Sequence, residues 1–145
     1  MNFPYHPFLV HFPIAFLLGA FFLQGIHLYK PNWICRVVGM WLLGLASFFS
    51  IFAAITGQWE LTKAGEIGYD TNVIEIINLH ETMGNIVTWG STSVFLIWLN
   101  LFFKDMKDKR IDILAFAFLL VLTCCVFFTA YLGGELVWIY GVGTP

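Results

Sequence analysis

Four apolar runs, at 8–28, 37–56, 83–103 and 113–133, constrain this chain more than any other feature. Each is close to the roughly 20 residues that an α-helix needs to cross a hydrocarbon core of about 30 Å. Lipid offers the backbone no hydrogen bonds, so such runs cross it as helices. Of the 145 residues, 59% are hydrophobic and only 11% charged, whereas a soluble domain averages about a quarter charged. So much apolar surface must be covered by lipid. The polar remainder is too short for a separate soluble domain. The expected fold is all-α: an integral membrane protein forming one antiparallel four-helix bundle, a single domain over 1–145.

The basic residues orient that bundle. Lys30 and Arg36 flank the first connection, and Lys104, Lys107, Lys109 and Arg110 lie in the third. The N-terminus, the second connection and the C-terminal tail hold only Lys63. Cytoplasmic loops collect Lys and Arg, which implies a bacterial inner-membrane protein with both termini on the periplasmic side. The first run does not read as a cleavable signal, because its flank MNFPYHP carries no Lys or Arg and its apolar stretch is too long. No internal repeat of solenoid length and no inverted repeat is visible. Cys35, Cys124 and Cys125 read as packing residues, since neighbouring side chains on a helix diverge.

The remaining polar residues gather at one depth. The start of the first helix brings His6 and His11, and the start of the third brings His80 and Glu81. The end of the second brings Thr56, Gly57 and Gln58, and the end of the fourth brings Gly133, Gly134 and Glu135. His27 stands apart, about 24 Å along the helix from His11, and reads as an interfacial histidine with a wet tip. Asn72 with Glu75 fits a capping box, so the third helix should begin near 72, before its membrane part. Gly84, one turn below His80, opens space beside that imidazole. Pro7 and Pro13 leave two readings of the N-terminus. Either the helix begins at Pro7 and Pro13 breaks its opening turns, or HPFLVH is an extended lid before Pro13. In the helical reading His11 shares a face with Ala15, a histidine beside a small residue, as with His80 and Gly84.

HPFLVHFPIAF at the start, LHETMGN before the third run and GGELVWIYGVG at the end occur in order along the whole chain. Together they resemble the bacterial membrane family called domain of unknown function 2231, through its HPxxVHFP and GGxLVxxxGVG elements. The resemblance implies a four-helix membrane protein and points to His6, His11, His80, Gly133, Gly134, Gly141 and Gly143. Similar domains occur fused to Rieske iron–sulfur domains, a link to membrane redox chains by association.

Two histidines from facing helices suit a single haem b, whose iron accepts neutral imidazole on both axial sides. The expected ligands are His11 and His80, with His6 as the alternative. Gly84 and Ala15 would clear room for the ring, Gly133 and Gly134 would let the end of the fourth helix approach closely, and Phe8, Phe12, Trp59 and Trp138 would wall the pocket. Filled axial positions point to an electron carrier or redox-complex subunit rather than a stand-alone enzyme. Propionates favour cations, and this side offers only Lys63 against Glu60, Glu66, Asp70, Glu75, Glu81 and Glu135. A second reading is a transition metal held by the histidines with Glu81 or Glu135. A third has no cofactor: the histidines cap backbone groups freed by the prolines, in an accessory membrane subunit. Expected partners are membrane lipid and either redox subunits or a basic soluble electron carrier at the acidic face; no nucleic-acid partner is expected. Transport is disfavoured by the lack of charges deep in the runs. Hydrolysis is disfavoured by the lack of any GxSxG or HExxH motif.

Overall fold

The computed structural model describes residues 5–104 and 108–143. Lys107 and the first four residues of the N-terminal flank, used above, lie outside the described residues. Four helices follow one another: α1 (Tyr5–Tyr29), α2 (Trp33–Ile67), α3 (Thr71–Lys104) and α4 (Lys109–Trp138). All four are long and apolar enough to cross a membrane. Each packs against its neighbours in a closed ring, α1–α2–α3–α4–α1, which leaves α1 diagonal to α3 and α2 diagonal to α4. One end carries Lys30, Arg36, Lys104, Lys109 and Arg110 and is called the basic end. The start of α1, the α2–α3 connection and the end of α4 form the histidine end.

Helix boundaries follow from local chemistry. The Asn32 side chain accepts from the backbone N–H of Ile34 and Cys35 and so starts α2. Asp108 does the same for α4 through Arg110 N–H. α2 stops at Gly68, whose φ of 76° is open to a residue without a Cβ. α3 starts at Thr71, where the Asp70 carbonyl accepts from Val73 and Ile74. Asn72 therefore sits within the first turn and does not cap it. α1 is continuous through Pro13, which is buried, so the helical alternative for the N-terminus holds and the lid does not.

The polar stretch after Thr56 is helix apart from a break at 68–70, not a long loop. Gln58, Glu60, Leu61, Lys63, Ala64 and Glu66 are favourable helix residues. Leu61 and Ala64 also keep an apolar face, which packs with Val73, Ile77 and Leu136. With 35 and 34 residues, α2 and α3 are each about 50 Å long, well beyond the hydrocarbon thickness. α4 likewise runs through Gly133 and Gly134. Beyond it, Gly141 (φ 66°) and Gly143 (φ 78°) flank Val142, whose N–H returns to the Leu136 carbonyl.

The two hairpins, α1–α2 and α3–α4, repeat one pattern. Aligning His6 with His80 sets Pro13 against Val87, Leu17 against Ser91 and Gln24 against Trp98, all buried. Aligning Ala53 with Thr129 sets Asn32 against Asp108, the two caps. The same register matches Arg36 with Asp112, Leu43 with Leu119, Ser47 with Thr123, and Gly57 with Gly133. Equivalent residues meet across the middle of the bundle at both ends, as a two-fold axis along it requires. The repeat is parallel, with both hairpins running the same way. It departs from symmetry where Gly39 lies closest to α1: a Cβ there would be 3.4 Å from the Ala20 carbonyl oxygen. α4 has Ala115 at the matching place, so α1 and α2 approach more closely than α3 and α4.

Candidate functional site: the paired histidines

His6 and His80 face one another across the bundle from the diagonal helices α1 and α3. Their ring centroids are 6.3 Å apart and their planes are nearly perpendicular, at 88°. His6 Nδ1 is 2.9 Å from the carbonyl oxygen of Ala53 on α2. His80 Nδ1 is 3.0 Å from that of Thr129 on α4. A carbonyl only accepts, so both Nδ1 atoms carry the proton and donate. In the neutral ring each Nε2 then keeps a lone pair, and neither Nε2 has a hydrogen-bond partner among the described residues. Histidines that bind metals are commonly held in this way, with the second nitrogen on a carbonyl fixing tautomer and ring direction.

Glycines make both seats. A Cβ on Gly57 would fall 3.1 Å from His6 Cε1, and one on Gly133 would fall 2.9 Å from His80 Cε1. Each of these glycines lies one turn beyond the carbonyl that its histidine bonds, so the Cε1 edge of the ring comes close to the helix that it grips. Gly133 therefore seats an imidazole, which differs from the expectation that it lets α4 approach its neighbours. Gly84 and Gly134 are different: a Cβ on either would meet nothing within 4 Å.

His11 lies elsewhere. It is exposed, and its Nδ1 bonds the Pro7 carbonyl within α1 at 2.6 Å. Ala15, on the same face, is exposed too. The imidazole opposite His80 is that of His6, because α1 begins at Tyr5 and turns residue 6 inward. Glu81 bonds the Gln58 side chain and so links α3 to α2. No group of three or more His, Cys, Asp or Glu side chains comes together among the described residues, so Glu81 and Glu135 do not join the histidines. Phe8, Trp59 and Trp138 are exposed rather than lining the pair, and Phe12 stacks on Phe49. Lys63, the lone cation of this end, pairs with Glu60 at 2.8 Å.

Sequence reasoning missed a second polar cluster, at the basic end. Arg36 Nε donates to Asp112 Oδ1 at 2.6 Å, with both side chains buried. His27 Nε2 lies 3.3 Å from the other carboxylate oxygen, and His27 Nδ1 is bound by the Asn32 backbone. The tip of His27 is therefore engaged rather than wet. Gln24, fully buried, donates to the Asp112 carbonyl at 3.0 Å. The Arg36 guanidinium also lies over the Phe102 ring, 4.9 Å from its centroid. The available signal was positional: Arg36 and Asp112 each stand four residues after a helix-capping Asn or Asp.

A ring of four apolar helices with charged groups confined to its ends defines a multi-pass membrane bundle. The sequence profile of the family described as predicted membrane protein (DUF2231) matches residues 2–145, and the chain belongs to that family. No curated protein and no solved structure matches the chain.

Proposed function

We propose that this protein is a small membrane electron carrier, or a redox-complex subunit, that holds one haem b between His6 and His80. The observation that carries the reading is the pair of imidazoles with both Nδ1–H groups on backbone carbonyls and both Nε2 lone pairs unused. An ion bound by both Nε2 atoms at about 2.0 Å would keep the ring centroids roughly 6 Å apart, which agrees with the separation of the two rings. Two protein ligands suit haem, whose macrocycle supplies the other four nitrogens. They are too few for a typical zinc or copper site. A Cβ on Gly84, one turn along α3 from His80, would meet nothing within 4 Å. Bound at the pair, haem would supply a one-electron couple. The chain's own part is to fix the tautomer of both rings, hold them at right angles and line the site with little polar surface. Propionates would face water, because Lys63 is engaged by Glu60.

Lys and Arg at the opposite end favour a bacterial inner-membrane placement with the histidine end outside. A basic soluble carrier or a redox subunit would then meet the acidic face of α2 and α3. One observation favours a second reading, without cofactor. Each histidine bonds the helix next to its own, His6 tying α1 to α2 and His80 tying α3 to α4, and so acts as a strut whatever occupies Nε2.

A dithionite-reduced-minus-oxidised visible spectrum of detergent-purified, haem-supplied protein separates the two. The haem reading expects a sharp reduced α-band, lost in both His6→Ala and His80→Ala and kept in His11→Ala. A flat spectrum from folded protein, with the variants merely less stable, leaves the strut.

A further inference from the structure

The basic end contains a cavity of about 340 Å³, lined by His27, Asn32, Trp33, Arg36, Lys109 and Asp112 among others. We propose that it binds the phosphate of an anionic phospholipid headgroup. Of its charged walls, Asp112 is already matched by Arg36 and bonded by His27. The Lys109 ammonium is exposed, lines the cavity and has no ion pair among the described residues. The lining is therefore net positive before any charge on His27 is counted. Both N-terminal helix starts at this end, Trp33 of α2 and Lys109 of α4, also border the cavity, so two helix dipoles present their positive ends to it. The Asp108 carboxylate, the other acid beside Lys109, is occupied by Arg110 N–H.

Phosphate is the group that this arrangement reads, and depth favours a lipid as its source over the free ion. The cavity lies where the spans end, with Leu28, Pro31 and the exposed Trp33 in its wall and the exposed Tyr29 next to Leu28 in the chain. Such aromatic residues mark the headgroup level. Lys30, Lys104 and Arg110 at the same end draw anionic lipid toward the surface, and a pocket between helices gives one headgroup a fixed place.

The test uses the full chain in mixed micelles of phosphatidylglycerol and phosphatidylcholine, with retained lipid read by native mass spectrometry. Expected is about a 5-fold preference for phosphatidylglycerol, the effect of roughly one lysine at a charged surface. Lys109→Gln should bring it to near parity, while Lys104→Gln, outside the cavity, should lower it only slightly. Both residues are exposed, so neither substitution disturbs the core. Equal loss in the two variants, or no preference in the parent, overturns the site in favour of diffuse attraction. Displacement of the retained lipid by millimolar inorganic phosphate overturns the lipid as the source and assigns the cavity to the free ion.

Discussion

At the histidine end, the two positions that meet across the axis hold the same residue; at the basic end they hold opposite charges. His6 and His80 do not satisfy one another. Each turns to a backbone carbonyl of the adjacent helix and leaves one nitrogen unbonded toward the middle. Arg36 and Asp112 do bond one another, with His27 beside the other carboxylate oxygen and Gln24 on the Asp112 backbone carbonyl. One repeat therefore yields two kinds of junction. A matched pair keeps chemical capacity, whereas a complementary pair spends it on holding the hairpins together.

The largest effect should come from breaking the complementary pair. Asp112→Leu leaves a buried guanidinium without its carboxylate and should cost about 3–5 kcal/mol, measured by unfolding in detergent. The double variant Arg36→Leu with Asp112→Leu should recover most of that loss, because both desolvated charges are then gone. A double variant no more stable than the single one would show that the junction is more than a charge pair. At the other end, Gly133→Ala should cost about 1–3 kcal/mol by pushing its Cβ into the His80 ring, and Gly57→Ala somewhat less, following the 2.9 Å and 3.1 Å approaches. A reversed order would mean that the approach of the Cβ to the ring does not set the cost. Gln24→Leu removes a bond to the Asp112 carbonyl and should cost about 1 kcal/mol, an effect that should shrink in the Asp112→Leu background if the cluster acts as a unit. Smallest of all, Gly84→Ala and Gly134→Ala meet open space and should gain up to about 1 kcal/mol from helix propensity. With haem present, Gly84→Ala should instead weaken its retention.

The four helices were legible because membrane hydropathy is summed over whole turns, so single residues hardly matter. The extra turns of α2 were not. A polar segment with helix-forming residues reads as a loop until its apolar face, Leu61 and Ala64, finds Val73 and Ile77 to cover it. The place of His80 at one end of the bundle was readable from its position at the start of a run, but whether His6 or His11 faces it depends on where α1 begins. Two prolines leave that point ambiguous, and contact with α2 resolves it. The repeat escaped notice because the halves share few identities, such as Ala54 with Ala130, Gly57 with Gly133 and Leu43 with Leu119. Burial register keeps what side-chain identity has lost. Arg36 and Asp112 were hidden for a related reason: each stands at the edge of an apolar run among flanking charges, and only the meeting of the hairpins gives either one its partner.

The two-fold axis through the histidine pair bears on anything planar seated there. After half a turn, such a group meets nearly the same walls: imidazole for imidazole, glycine for glycine. An unsymmetrical macrocycle would thus fit in two flipped orientations, told apart by the places where the halves have diverged, among them Ala53 against Thr129, Thr56 against Leu132 and Val10 against Gly84. Loaded protein should then contain two orientational isomers in comparable amounts, seen as doubled methyl resonances in its proton spectrum. Exchanging Leu132 for Thr should draw their populations closer still.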